Sequence, residues 1–362
     1  LVSGALILDG GDTDVDILAA NLRLSAITGA GTAANHLETS VTTLSANVGT
    51  GGLFLTETNN ITVDTVAAVV VNRVKTDGTV TGSTVTDVAT SDLVSAGAII
   101  LETTNGALTI NGGGDTTGIS ATGNILLKTS ESGEGTANDS DLTVNARVIS
   151  TGNISFKAGD NINQKANIIV TAGTGSIDLL ASSDIVMADN TLTLANNGNI
   201  RYEGGNDLII ETLNAGNGNM ALIATNDIID GDAVGDAEVD LTSSGLILTA
   251  GSGLGTGTNR LETMVATIAA SAGSDGLYIT ETDGLTVSNV TVDVNRVDAK
   301  ATVSTITNDL SDVSTTEASN GNIVLVAKTR DLTITDGADA DEKGVEAGGA
   351  GRIDCAEGRG VR

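Results

Sequence analysis

The amino-acid sequence predicts an all-β solenoid. Three observations carry that expectation: a turn–strand unit recurring about every twenty residues, a longer repeat with an offset of 224 residues, and the lack of any proline in 362 residues. Self-similarity at a fixed short period marks a chain whose units bury their apolar faces only against their neighbours. At ordinary usage of about 5%, roughly eighteen prolines would be expected. A strand hydrogen-bonded on both sides loses a ladder bond to each proline, so a chain of such strands excludes it.

The short unit is plainest in the middle of the chain. Gly198-Asn199-Ile200-Arg201-Tyr202 is followed by Asn206-Asp207-Leu208-Ile209-Ile210. The same doublet precedes it at Gly175–Leu179 and Ser183–Met187, and follows it at Gly218–Leu222 and Asn226–Ile228. The step is 23 residues from Ile177 to Ile200 (200 − 177) and 20 from Ile200 to Met220 (220 − 200), so coils of about 20–23 residues are expected. The apolar-x-apolar triplet places two side chains on one face of a strand.

Taken in order, strands are expected at Ala5–Leu8, Val15–Leu18, Leu22–Leu24, Leu53–Leu55, Ile61–Val63, Ala98–Leu101 and Leu108–Ile110. Leu37, Val41 and Leu44 have the spacing of a helical turn, but the surrounding threonines and Val41 favour strand or irregular coil. Coils led by Ile125, Ile154, Ile177, Ile200 and Met220 follow, with a loop expected at 131–135. Asn-Gly pairs such as Asn105-Gly106, Asn197-Gly198 and Asn217-Gly218 mark turns. Near the end, Gly351-Arg352-Ile353-Asp354-Cys355 has the coil form again, which points Cys355 inward.

The long repeat keeps its spacing over two blocks and is one residue out of step at Asn72-Arg73-Val74, which faces Asn295-Arg296-Val297. Asn35-His36-Leu37-Glu38-Thr39 returns as Asn259-Arg260-Leu261-Glu262-Thr263, and Gly52-Leu53-Phe54-Leu55-Thr56-Glu57-Thr58 as Gly276-Leu277-Tyr278-Ile279-Thr280-Glu281-Thr282 (259 − 35 and 276 − 52, both 224). The expected division is a first long unit at 1–224, a partial second copy at 225–337, and a truncated further coil or frayed tail at 338–362. Each long unit is expected to hold about ten coils. The first residues already have strand form, so the chain is expected to be an internal piece of a longer protein.

Composition narrows the function. A formal net charge of −29 opposes binding to nucleic acid, which needs a positive surface to displace counterions, and to anionic membrane surfaces. No apolar run approaches membrane-spanning length, so no membrane insertion is expected. A single cysteine excludes an internal disulfide framework and a cysteine-based zinc site. Only four residues are aromatic, Phe54, Phe156, Tyr202 and Tyr278, which leaves Ile, Leu, Val and Ala to fill a narrow interior.

On the Gly-Asn-Ile-x-Leu and Asn-Asp-Ile coil pairs, the Leu-Glu-Thr-x-Val block with its Gly-Leu-x-x-Thr-Glu-Thr partner, and the lack of Pro and scarcity of Cys, the sequence resembles the repeat shafts of filamentous haemagglutinin-like adhesins. That resemblance covers nearly the whole chain. That family, many of whose members are exported by two-partner secretion, implies a right-handed parallel β-helix, export to the bacterial cell surface or the medium, and a role in adhesion or biofilm.

Candidate chemistry is sparse. His36 is the only histidine, and Arg260 takes its place in the second copy, so nothing at that position requires an imidazole. Glu38 with Glu262, and Glu57 with Glu281, recur between copies and are expected to be surface residues of the repeat. Paired carboxylates could otherwise serve glycosidic chemistry, but four scattered aromatics make no sugar platform. Three aspartate clusters are candidate calcium ligands, because calcium takes six to eight oxygen donors: Asp9, Asp12, Asp14 and Asp16; Asp230, Asp232, Asp236 and Asp240; and Asp336, Asp339 and Asp341. Their spacing fits neither an EF-hand nor a Gly-Gly-x-Gly-x-Asp repeat, and the second cluster is the leading metal candidate. Threonine pairs such as Thr56-x-Thr58, Thr191-x-Thr193 and Thr280-x-Thr282 are too sporadic for a flat solid-binding face. Asn199, Asn206, Asn219 and Asn226 are expected to stack as ladders between coils.

The expected function is a non-enzymatic stalk segment of an exported bacterial surface adhesin, extracellular or at the cell surface. Any host receptor or glycan would be met by parts of the protein outside this stretch. A calcium-stabilised extracellular matrix or S-layer-like protein is one alternative, and a polysaccharide-active β-helix enzyme another.

Overall fold

The computed structural model describes residues 1–80, 82, 84–131, 140–232, 238–316, 320–338 and 341–357. The loop expected at 131–135 therefore lies almost wholly outside the described residues. Among the described residues there is no helix, and all strands but two hairpins join one continuous parallel sheet. In the regular stretch each turn of the chain supplies three short strands, and each strand pairs with the one three places further on. Ile154–Ala158 pairs with Ile177–Ala181, Ile162–Gln164 with Ile185–Met187, and Ile168–Val170 with Leu192–Leu194. The fold is thus all-β and solenoid-like, with three columns of strands around one apolar interior.

The apolar-x-apolar triplet explains the interior. One column runs through Leu53, Ile99, Ile125, Ile154, Ile177, Ile200, Met220, Leu246 and Ile268, each pairing directly with the next. All nine are fully buried, as are their i+2 partners Leu179, Tyr202 and Leu222. Burying such a side chain stabilises by roughly 1.5–3 kcal/mol. Tyr202 sits in the interior because its hydroxyl is satisfied there, by Thr193 Oγ1 (2.6 Å) and Gln164 Oε1 (2.9 Å). Thr193 is therefore a core residue and presents no face to solvent.

Turns between strands are tied coil to coil. The Asn199 Oδ1 accepts the Asn219 backbone N–H (2.7 Å), Asn153 Oδ1 accepts that of Ser176 (2.9 Å), and Asn124 Oδ1 that of Asn153 (2.9 Å). A second ladder climbs through Asp141, Asn161, Asp184, Asp207 and Asp227. Asn226 also donates to Asn206 Oδ1 (2.6 Å). The glycine that opens each unit lies where successive coils nearly touch: a Cβ on Gly198 would stand 1.7 Å from the Gly175 carbonyl oxygen.

Pairing repeats at the long offset. Leu37 faces Leu55 and Leu261 faces Ile279; Thr43 faces Thr62 and Thr267 faces Thr286; Leu53 faces Ile99 and Leu277 faces Ile323. Leu37–Val48 is one strand, with Leu37, Val41 and Leu44 all buried. Its irregular spacing marks a bend: the first part pairs with 55–57 and the later part with 62–63.

The number of coils per unit differs from the expected ten. Eight pairings carry the column from Leu53 to Ile268, with steps from 20 residues (Ile200 to Met220) to 46 (Leu53 to Ile99). Connections and a hairpin lengthen some coils well beyond 22 residues. Moreover, Leu277, the counterpart of Leu53, does not rejoin that column. It continues the neighbouring one, which runs Ile61, Leu108, Leu142, Ile162, Ile185, Leu208, Ile228, Leu254, Leu277. One unit therefore makes eight turns and about a third.

Cys355 faces Leu325 in register, but it is exposed rather than buried, because no described coil covers it.

Candidate functional site

Two arrangements stand out from the regular coils: a hairpin strapped along one flank, and acidic groups at the turns. Val290–Val297 and Val303–Leu310 form an antiparallel hairpin that leaves the coil and lies back over earlier ones. Its valines 290, 292 and 294 pack on Ala221, Ile247 and Ala269, and Val297 packs on Phe54, Ile100 and Leu126. These coil residues are the middle x of the apolar triplet and point outward. They are nonetheless buried, because the hairpin covers them.

Polar contacts hold the hairpin at each coil. Asn219 Nδ2 donates to Thr291 O (2.9 Å), Asn199 Nδ2 to Asp293 O (2.7 Å), and Asn124 Nδ2 to Ala301 O (2.9 Å). The Asn295 and Val297 N–H groups donate to Ser176 Oγ (2.8 Å) and Ser155 Oγ (2.9 Å). Asp178, 1% exposed, receives Arg296 from the hairpin (Nε to Oδ2, 2.5 Å) and Arg201 from the next coil (3.1 Å). Arg201 also donates to Asn308 Oδ1 (2.8 Å) and pairs with Glu203. At the tip, His36 bridges Thr56 Oγ1 (3.0 Å) and Ala299 O (2.9 Å), so the single histidine tethers the two repeat copies. A cleft of about 260 Å³ remains under the tip, bounded by Lys128, Lys157, Glu102 and Arg296.

Of the leading metal candidates, Asp230, Asp232 and Asp240 come together, with one oxygen of each within 4.8 Å of the others; Asp236 lies outside the described residues. Asp230 and Asp240 are buried, Asp240 Oδ2 accepts the Glu262 N–H (2.8 Å), and Asp230 Oδ1 accepts that of Asp232 (2.9 Å). Asp232 also meets Glu211 and Asp189. Burial, and then the Asp232 charge, push the Glu211 carboxyl up to about 7.

The first copy gathers Asp9 and Asp16 with Glu38, which the spacing had not grouped with them; Asp12 and Asp14 are not in that group. The Gly11 N–H holds the Asp9 carboxyl below its usual range, while burial and the neighbouring carboxylates push Asp16 and Glu38 up. A third group joins Asp336 and Asp341 to Asp312, with Asp339 outside the described residues. Crowded oxygens of like charge are relieved either by a shared proton or by a hard cation such as calcium. Asp230, Asp232 and Asp240 are the residues that could hold one.

Glu57 and Glu281, expected on the surface, are fully buried. Each plugs the bend of the long strand beside it. Glu57 accepts from Thr39 Oγ1 (2.7 Å) and the Val41 N–H (3.0 Å); Glu281 accepts from Thr263 Oγ1 (2.7 Å) and the Val265 N–H (3.0 Å). Burial raises both carboxyls, Glu281 to about 7. Glu262 is buried as well. Such sites keep a backbone donor satisfied at a break in the ladder.

Sequence reasoning missed both hairpins and the flank that Val290–Leu310 covers. The available signal was an apolar residue at the outward position, as in Ile99-Ile100-Leu101 or Leu246-Ile247-Leu248, together with the alternation of Val290-Thr291-Val292-Asp293-Val294. Compared with family models, curated proteins and solved structures, the chain matches none.

Proposed function

We propose that the chain is a non-enzymatic, rod-forming stalk segment of an exported bacterial surface protein of the adhesin kind, wound as a right-handed parallel β-helix. In this reading residues 1–224 form one unit and 225–337 begin the next. The observation that carries it is the column of directly paired residues from Leu53 to Ile268, unbroken through eight pairings. Parallel strands about 4.8 Å apart make length proportional to coil number at constant cross-section. The strapped hairpin supports the same role, since it ties several coils along the axis and resists bending between them.

Small-angle scattering on this chain and on a version lengthened by one 224-residue unit tests the reading. Eight and a third further coils should add about 40 Å to the longest dimension and leave the cross-sectional radius unchanged. A longer chain that grows in girth instead of length would overturn it. Labelling intact cells with antibody to the chain tests export; signal only after lysis would count against the surface role.

A further inference from the structure

Among the described residues there are two versions of the hairpin, and one of them is docked. Val69–Asn72 and Thr84–Asp87 form the first, an antiparallel pair that occupies the same place in the repeat as Val290–Val297 and Val303–Leu310. Asn72-Arg73-Val74 repeats Asn295-Arg296-Val297 residue for residue, and Val69 and Val71 stand at the positions of Val292 and Val294. In the docked hairpin these residues are the contact surface: the Asn295 N–H meets Ser176, Arg296 meets Asp178, and the Val297 N–H meets Ser155. In the first hairpin Val69, Val71 and Val74 are 42%, 48% and 72% exposed. Among its described residues the contacts to the coils lie at its base, Arg23 to Asp87 (3.0 Å) and Ser45 to Thr90 (2.7 Å).

We propose that the 69–87 hairpin is a strap for another copy of this chain's own coils, seated on the strand edge of residues 2–7 that faces away from Ser25–Ala30. The register defines the seat. Ser3 pairs with Ala26 as Ala224 pairs with Ala250, so Leu1–Ser3 occupy the place of Leu222–Ala224 and a copied coil stretch ending at 221 continues into Leu1. Stacked there, the copy presents its Ser176, Asp178 and Ser155 to Asn72, Arg73 and Val74. An exposed row of valines is thereby covered, and Arg73 gains the buried carboxylate that Arg296 already has. The inference rests on the solenoid register and not on the stalk role, so either can fail alone.

A graft tests it in the full chain: residues 67–89 replace 290–310, where the coil seat already exists. Hydrogen exchange at the grafted 69–74 amides should be on the order of 100-fold slower than at the same amides in the native first hairpin. Arg73→Glu within the graft should restore fast exchange, while the coil amides at 177–181 stay slow. Fast exchange in the unmutated graft, with slow coil amides, overturns the proposal. In the second arm, a copy of residues 97–221 is fused before Leu1. The native 69–74 amides should then slow by a similar factor; unchanged 69–74 exchange beside newly slowed Leu6 and Ile7 amides also overturns it.

Discussion

The Glu281 carboxyl is fully buried yet accepts three N–H or O–H donors, from Thr263, Val265 and Asp283. Burial outweighs those bonds and lifts it from 4.5 to about 7. The folded chain thus holds this proton more tightly than the unfolded one. Its contribution is fully present below about pH 4.5 and is lost as pH rises to about 7, about 3 kcal/mol across the window. Urea unfolding at pH 4.5 and 7.5 should show a larger loss in the native chain than in Glu281→Gln, where Glu57 and Glu211 still contribute theirs; equal pH slopes in the two chains would refute the assignment. At Gly198, alanine forces a Cβ against the Gly175 carbonyl, and a loss of about 2–3 kcal/mol is expected in the same assay. The glycine's place was readable from sequence; the glutamate's was readable and misjudged. Alternation from Leu53 and Leu55 puts Glu57 inward, but its charge suggested a solvent position. The donors that make burial tolerable come from a strand eighteen residues away, which alternation cannot reveal.

The strapped hairpin is the element on which tertiary contact overrides local pattern. Arg296→Ala removes one of two guanidinium partners from a buried carboxylate, and the hairpin should loosen before the coils do. A loss of about 1–3 kcal/mol is expected, with faster hydrogen exchange at 291–297 and little change at 200–204. Uniform loosening of both would place Arg296 in the general fold instead. Strand positions were legible wherever a triplet repeated. The hairpin's role was not, because it depends on contacts between residues more than a hundred apart, such as Arg296 with Asp178. The acidic turns were legible as composition, yet partners such as Glu38 came from neighbouring coils.

For the whole molecule, stability should be local and additive, since each coil touches mainly the coils beside it. Ile200→Ala should cost about 2–5 kcal/mol. The accompanying faster exchange should stay within the coils of 177–181 and 220–224, whereas a compact core would spread it to 99–103. Solenoid architecture was open to sequence reading because the period is written in every coil. The coil number was not, because the connections between strands vary in length.

The eight turns and a third in each 224-residue unit have a consequence for anything present once per unit. In a chain of such units, successive copies of the feature would emerge on successive strand columns of the solenoid. Three units return it to the original face, an axial period of about 120 Å at about 4.8 Å per coil. A row of such features would wind around the solenoid like a screw thread, and no single side of it would be left bare.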